Sequence, residues 1–167
     1  MAYKDYKYFT EVIIIKAKTV KQSETSLRNL MEPIHANIVG NVHGGEIMKL
    51  MDNAAGVTAA RHAGTNVVTA RVDKVEFHYP VHIRDLVTFN AKLSFIGNSS
   101  MEIFVKVIVE DMTKVDSAKV AATAFFTMVA LDENGKPTAV PPLEVTSDDE
   151  HKLFEEGRER YLANKKD

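Results

Sequence analysis

The sequence predicts an α+β domain: one antiparallel sheet wrapped around a single long central helix, with a second helix lying on the surface at the C-terminal end. Three observations predict it. From about Gly44 to about His62 the chain reads as one helix that is apolar nearly all round, from Ile47, Met48, Leu50 and Met51 to Ala59 and Ala60. A helix like that has to be covered on most sides. Beyond it the hydrophobic period changes to two over four successive segments, which is the pattern of strands. Beyond Pro141-Pro142 the stretch SDDEHKLFEEGRERYLANKK is acidic and charged, as a surface helix would be.

The elements follow in order. Residues 1–20 form an N-terminal arm, in which YFTEVIIIKAK reads either as a strand or as a short apolar arm. The opening MAYKDYKYFT lacks the apolar core of a signal peptide, and EVIII at 11–15 is too short to span a bilayer. VKQSETSLRNLME, at 20–32, reads as a polar strand leading to Pro33, with a loop from 33 to 43. The long helix comes next, with Gly64 as its stop. VVTARVDKVEF (67–77) alternates with a phase slip near Asp73, as a bulge would produce. In LVTFNAKLSF, Val87, Phe89, Ala91, Leu93 and Phe95 share one face. In SMEIFVKVIVE, Met101, Ile103, Val105, Val107 and Val109 do the same. KVAATAFFTMVAL is apolar or small on both faces, as a central strand is. Gly97-Asn98 and the DENG at 132–135 supply turns. Ser147 or Asp148 can cap the last helix, and lysines near its end suit its dipole. A helix held in a rolled sheet is the hotdog fold. The expected domain spans 21–141, with 142–167 as a C-terminal helical extension.

Composition limits the function. The chain has 167 residues, 45% hydrophobic and 26% charged, with a formal net charge of -2. That size suits one domain with a real core. The charge leaves no basic footprint for nucleic acid and no charge-driven attraction to membranes. The absence of cysteine excludes disulfides, zinc-cysteine sites and thiol nucleophiles. A cytoplasmic protein is the expectation. Six histidines invite a metal reading, but no helical i, i+4 pair with an acid appears, so neither a metal nor a cofactor is expected.

The chemistry concentrates in NIVGNVHGGEIMKLMDNAAG, residues 37–56. Gly45 and Asp52 are seven residues apart, about 700° of rotation, so they share a helix face roughly 10 Å apart along the axis. The Asp52 side chain leans back toward the glycines. Burying an unpaired carboxylate costs several kcal/mol, so a partner chain, a set of hydrogen bonds or a functional cavity has to compensate it. Gly44 and Gly45 at a helix N-terminus offer N–H groups that could stabilise an oxyanion. A carboxylate beside them can serve as general base or as nucleophile. These are the parts an ester or thioester hydrolase needs. A bland turn and a solvent-facing acid are the alternative. His43 either sits near such a site or packs the loop.

The pattern N-x-x-G-x-x-x-GG-x-x-M-x-x-x-D, here Asn37, Gly40, Gly44, Gly45, Met48 and Asp52, resembles the hotdog-fold acyl-CoA thioesterases of the YciA type and the cytosolic brain-type acyl-CoA hydrolases. AARHAGTNVVTARVDKVEF, GNSSMEIFVKVIVED and FFTMVALDENGKP extend the resemblance over residues 22–140. It implies hydrolysis of acyl-CoA to free fatty acid and coenzyme A, with no separate cofactor. It makes Asp52 the catalytic carboxylate and Asn37 the second catalytic position, supplied by the opposite subunit of a homodimer. It places the substrate carbonyl at Gly44 and Gly45, and the coenzyme near Arg71, Ser99 and Ser100, with Arg61 and Arg84 as cations for its phosphates. Where the family has a glycine before Asp85, this chain has Arg84. The implied assembly is a homohexamer, a trimer of dimers. Whether Asp52 attacks the carbonyl or activates water stays open at this stage, and water activation is the hypothesis. A hotdog hydratase or dehydratase and a non-catalytic acyl-CoA-binding protein are the rivals.

Overall fold

The computed structural model describes residues 16–164. The core is a five-stranded antiparallel sheet in the order β2-β4-β5-β6-β3, where β2 is Thr25–Leu30, β3 Asn66–Phe77, β4 Leu86–Ile96, β5 Ser100–Glu110 and β6 Lys119–Leu131. Helix α2, Gly44–Ala63, lies in its concave face. This is the hotdog arrangement. Val87, Phe89, Ala91 and Leu93 of β4, the odd residues from Met101 to Val109 of β5, and Phe126, Met128 and Ala130 of β6 are all buried against the helix. Gly64 ends α2 in the left-handed conformation (φ 72°), its N–H donating to the Ala60 carbonyl at 2.8 Å. That is the stop the sequence predicts.

Several details depart from the sequence reading. Residues 20–32 are not one strand. Val20–Ser23 forms a helical turn, α1, before β2 begins. The Gln22 side chain accepts the Thr19 N–H at 2.8 Å, and Val20 and Ser23 are buried. That local capping and burial outweigh the weak strand pattern. The loop that follows contains a 3-10 turn at Pro33–His35. The arm reading YFTEVIIIKAK falls outside the described residues except at its last three positions. Of these, Lys18 opens the two-residue strand β1, Lys18–Thr19, which pairs in parallel with β7, Leu143–Glu144.

Phe95 is a second departure. The pairing passes from Leu93–Ile103 to Phe95–Glu102, so Ser94 is an extra residue. That bulge moves Phe95 off the core face to the outer face. There it meets Phe154 and Tyr161 of α3, Asp148–Asn164, with ring centroids 5.1 Å away in both cases. The C-terminal helix therefore covers the convex side of the sheet. Ser147 caps it through a bond from the Glu150 N–H to Oγ at 3.3 Å, and Lys165 and Lys166 lie outside the described residues. Strand β3 carries the expected slip near Asp73 and another beside Ala70.

α2 is covered on one side only. Ile47, Met51, Ala54, Ala55, Thr58, Ala59 and His62 are buried, but Met48 and Val57 are each 38% exposed. Five strands cannot close around a helix, so a single chain leaves the side of α2 that carries Asp52 and Gly56 open, with Met48 and Val57 at its two margins. Among the described residues no helix is long and apolar enough to cross a membrane.

Candidate functional site

The Asn37 loop is built by its own side chain. Oδ1 accepts the Val39 N–H at 3.0 Å and the Asn41 N–H at 3.2 Å, while the Asn37 N–H donates to the Asn41 carbonyl at 2.7 Å. Gly40 closes the turn at φ 86°, a region L side chains rarely adopt. With Oδ1 occupied by two donors, the amide nitrogen Nδ2 is the group left to offer, and it has no partner among the described residues.

The start of α2 is close by. Asn37, Gly44, Ile47, Phe77, His78 and Tyr79 line one cleft of about 350 Å³. A Cβ on Gly44 would lie 3.6 Å from the Phe77 ring, so glycine leaves that space open. The sequence reading of two free glycine N–H groups needs correction. His43 caps the helix, and its Nδ1 accepts the Gly45 N–H at 3.0 Å. The Glu46 N–H is used by the His43 carbonyl at 2.9 Å. The Gly44 N–H has no partner among the described residues. Asn37 and Gly44, each with a donor that has no partner among the described residues, therefore line one cleft.

Asp52 is not part of that cleft. It is half-buried on α2, and its Oδ1 accepts a hydrogen bond from the Thr69 hydroxyl at 2.6 Å. Thr69 Oγ1 also lies 3.4 Å from Met128 Sδ. A hydroxyl has one proton, and the carboxylate is the stronger acceptor. Thr69 thus fixes the carboxylate orientation from β3. The sequence reading did not select Thr69. The available signal was its position two residues after the part-buried Val67, on the same face of β3.

The coenzyme candidates separate into two groups. Arg71 and Ser100 meet in a second cavity of about 330 Å³ on the outer face, closed by Tyr161 and Asn164 of α3. Arg71 Nε donates to Asp73 at 2.8 Å, and Asn164 Nδ2 reaches the other Asp73 oxygen at 3.2 Å. Glu102, at its wall, is buried and paired with Arg160 at 2.6 Å. Burial pushes the Glu102 carboxyl above its ordinary value, against the pull of Arg160. Ser99 uses its carbonyl in the turn, accepting the Ala130 N–H at 2.9 Å. Arg61 sits elsewhere, at the far end of α2, and donates to the Glu24 carbonyl at 3.1 Å. Arg84 is exposed with φ 80°, so the backbone holds the shape a glycine would take. Neither Arg61 nor Arg84 lines the cavity of Arg71 and Ser100. His62, fully buried, bonds Ser23 Oγ at 3.0 Å and the Pro141 carbonyl at 2.8 Å, which makes it a structural link. Among the described residues no group of three or more His, Asp or Glu is placed to hold a metal.

Comparison with known proteins identifies the family. The Thioesterase superfamily matches residues 39–115. A cytosolic acyl coenzyme A thioester hydrolase of Rattus norvegicus is 45% identical over 150 residues, 88% of this chain and 39% of that protein. The chain thus spans about two fifths of that relative's length. The uncharacterised acyl-CoA thioester hydrolase YkhA of Bacillus subtilis is 36% identical over 145 residues, covering 87% of this chain and 84% of YkhA. An acyl-CoA hydrolase from Staphylococcus aureus, solved with butyryl coenzyme A, coenzyme A and coenzyme A disulfide, superposes with a TM-score of 0.83 at 32% identity, over 89% of this chain and 90% of that one. Structures of that hydrolase also carry single alanine replacements of an asparagine, an aspartate and a threonine. An apo-hexameric acyl-CoA thioesterase gives 0.85 at 33% identity, over 91% and 97%. With fold and sequence agreeing along nearly the whole described length, the chain belongs to the hotdog-fold acyl-CoA thioester hydrolases of the thioesterase superfamily.

Proposed function

We propose that this protein hydrolyses acyl-CoA thioesters to free fatty acid and coenzyme A at sites shared across a homodimer. One observation carries the reading: within a single chain the two unpaired donors share a cleft and the carboxylate lies outside it. A twofold partner that lays its α2 beside the open side of this one, the side of Asp52 and Gly56, would bring its Asp52 to the cleft of Asn37 and Gly44. The apolar surface needed for that contact is present. Met48 and Val57 are part-exposed on α2, Val68, Val72 and Phe77 on the edge strand β3, and Ile38 and Val39 beside Asn37.

In the proposed reaction the Asp52 carboxylate takes a proton from water as its oxygen attacks the thioester carbonyl. The Asn37 amide and the Gly44 N–H, both donors, stabilise the tetrahedral oxyanion. Its collapse breaks the C–S bond, and the proton returns from Asp52 to the coenzyme A thiolate. Thr69 holds the carboxylate in place throughout. The replaced residues of the S. aureus hydrolase, one asparagine, one aspartate and one threonine, are the same three residue types. Arg71 and Ser100 are the proposed coenzyme contacts, with Ser99 shaping their turn. Arg61 and Arg84 could meet phosphates only through the assembled oligomer. The proposed assembly is a hexamer of three dimers in the cytoplasm, as the hexameric and the cytosolic relatives suggest.

Thiol release across acyl-CoAs of increasing length tests the activity, with Asp52→Ala and Asn37→Ala as variants. Each alone should be nearly inactive. Mixed and re-paired, the two should recover about one quarter of wild-type activity, because random pairing makes half the dimers mixed and each then has one intact site. No recovery would contradict the shared site. A single turnover in heavy-oxygen water separates the two roles of Asp52: label found on Asp52, not directly in the fatty acid, would show a nucleophile.

A further inference from the structure

His43 is an unusual cap. Helix N-caps are mostly Ser, Thr, Asn or Asp, whereas α2 starts on an imidazole whose Nδ1 accepts the Gly45 N–H at 3.0 Å. The ring lies close against that glycine: a Cβ at position 45 would sit 3.1 Å from Nδ1 and 3.3 Å from Cε1. The His43 backbone is fixed as well. Its N–H donates to the His35 carbonyl at 2.8 Å, and its own carbonyl accepts the Glu46 N–H at 2.9 Å. Accepting at Nδ1 puts the ring proton of neutral His43 on Nε2. Gly45 and Glu46 are thereby engaged, and Gly44 presents the first free N–H of the helix to the cleft.

We infer that His43 is a positioning residue for the thioester carbonyl, and that only its neutral form does the work. This rests on the hydrolase reading above. A proton on Nδ1 turns the acceptor into a donor that faces the Gly45 donor. The resulting imidazolium also sits at the positive end of the helix, where the dipole opposes it. The ring must leave, the first turn loses its cap, and Gly44 N–H loses its fixed direction. The charged and titratable groups around it are Glu46 and Lys49 on α2 and His35 on the preceding turn, and His78 lines the neighbouring cleft. Glu46 attracts an imidazolium, but its carboxylate is already paired with Lys49, and His35 Nε2 lies 3.9 Å from it.

Two measurements test this on the full chain. The first is NMR with no substrate present: as the solution is acidified, the Gly45 amide and the His43 ring signals should move together. The second is kcat against pH for wild type, His43→Ala and His43→Asn, using thiol release. His43→Ala should lower kcat about tenfold or more at every pH with KM little changed, a part of the loss expected for a missing oxyanion donor. His43→Asn keeps a cap acceptor and cannot titrate, so it should restore most of that loss. It should also lack the acidic limb that the wild type shows at the NMR midpoint. His35 and His78 remain in both variants as internal controls. A limb that persists unchanged in His43→Asn overturns the inference. So does a wild-type kcat that stays flat through the His43 titration, or a Gly45 amide that ignores it. A wild type that releases no thiol from any acyl-CoA overturns the hydrolase reading and this role with it. The NMR result would then still decide whether the cap exists.

Discussion

Gly157 sits in the middle of α3, where alanine would ordinarily help. Replacing glycine by alanine inside a helix gains about 1 kcal/mol of helix propensity. The packing opposes it. A Cβ at 157 would lie 2.8 Å from Phe95 Cβ, 3.2 Å from the Ser94 carbonyl carbon and 2.8 Å from Glu102 Oε2. The first two belong to the strand or are bonded directly to it, so they cannot rotate away. The third is the end of a side chain, but it is held by Arg160, whose guanidinium also covers the Phe125 ring at 3.5 Å. The helix itself must therefore lift, and overpacking of this kind costs about 1–3 kcal/mol. Lifting also loosens the Phe95–Phe154 and Phe95–Tyr161 contacts. The clash should win, with Gly157→Ala destabilising by about 1 kcal/mol net. In a chain of this size that lowers Tm by roughly 2–4 °C. Thermal unfolding followed by circular dichroism reads it, with protease susceptibility of α3 as a local check. A Tm that rises would show that helix propensity prevails and that α3 is not seated as described.

Thr69→Val keeps the side-chain shape and removes the 2.6 Å bond to Asp52. A hydrogen bond to a charged group contributes about 1.5–3 kcal/mol, so kcat for thiol release should fall roughly tenfold to a hundredfold with the fold intact. Arg84→Gly relieves a left-handed L-residue at φ 80°. The strain of about 1–2 kcal/mol outweighs the entropy glycine adds to the unfolded chain, so denaturant stability should rise by about 0.5 kcal/mol. A higher KM for acyl-CoA in the same variant would show that Arg84 meets the coenzyme. Burial holds the His62 pKa below its ordinary 6.5. The unfolded chain then takes a proton first as the pH falls, so stability should be level above pH 6.5 and decline below it. His62→Gln should start lower and lose that acid-side slope in thermal melts.

Much of this was legible because the pattern was regular. Every second residue from Met101 to Val109 is apolar, and the structure buries these five on one face. The start and stop of α2 were readable from Gly44-Gly45 and Gly64. What was not legible depended on contacts between distant residues. Phe95 fits the period of its strand perfectly, and only the extra Ser94, whose hydroxyl bonds the Glu102 carbonyl at 3.1 Å, turns it outward. Thr69 looked like one threonine among several until Asp52 lay opposite it, 17 positions away. The Gly45 N–H looked free because nothing in the sequence says which way a histidine ring turns.

The pairing of β1 with β7 joins the two ends of the domain. Lys18 N–H donates to the Pro142 carbonyl at 2.9 Å, and its Nζ bonds the Arg61 and His62 carbonyls at 2.9 and 2.7 Å, where α2 ends. Mechanically this is a clasp. Tension entering the described fold from the N-terminal side reaches β1 before β2, and tension from the C-terminal side reaches β7 after α3. Among the described residues both paths run through the same short pair and the same lysine, the C-terminal one after α3 has been stripped from Phe95 and Glu102. The two ends of the described fold thus share one local contact, and losing it at one end would weaken the other.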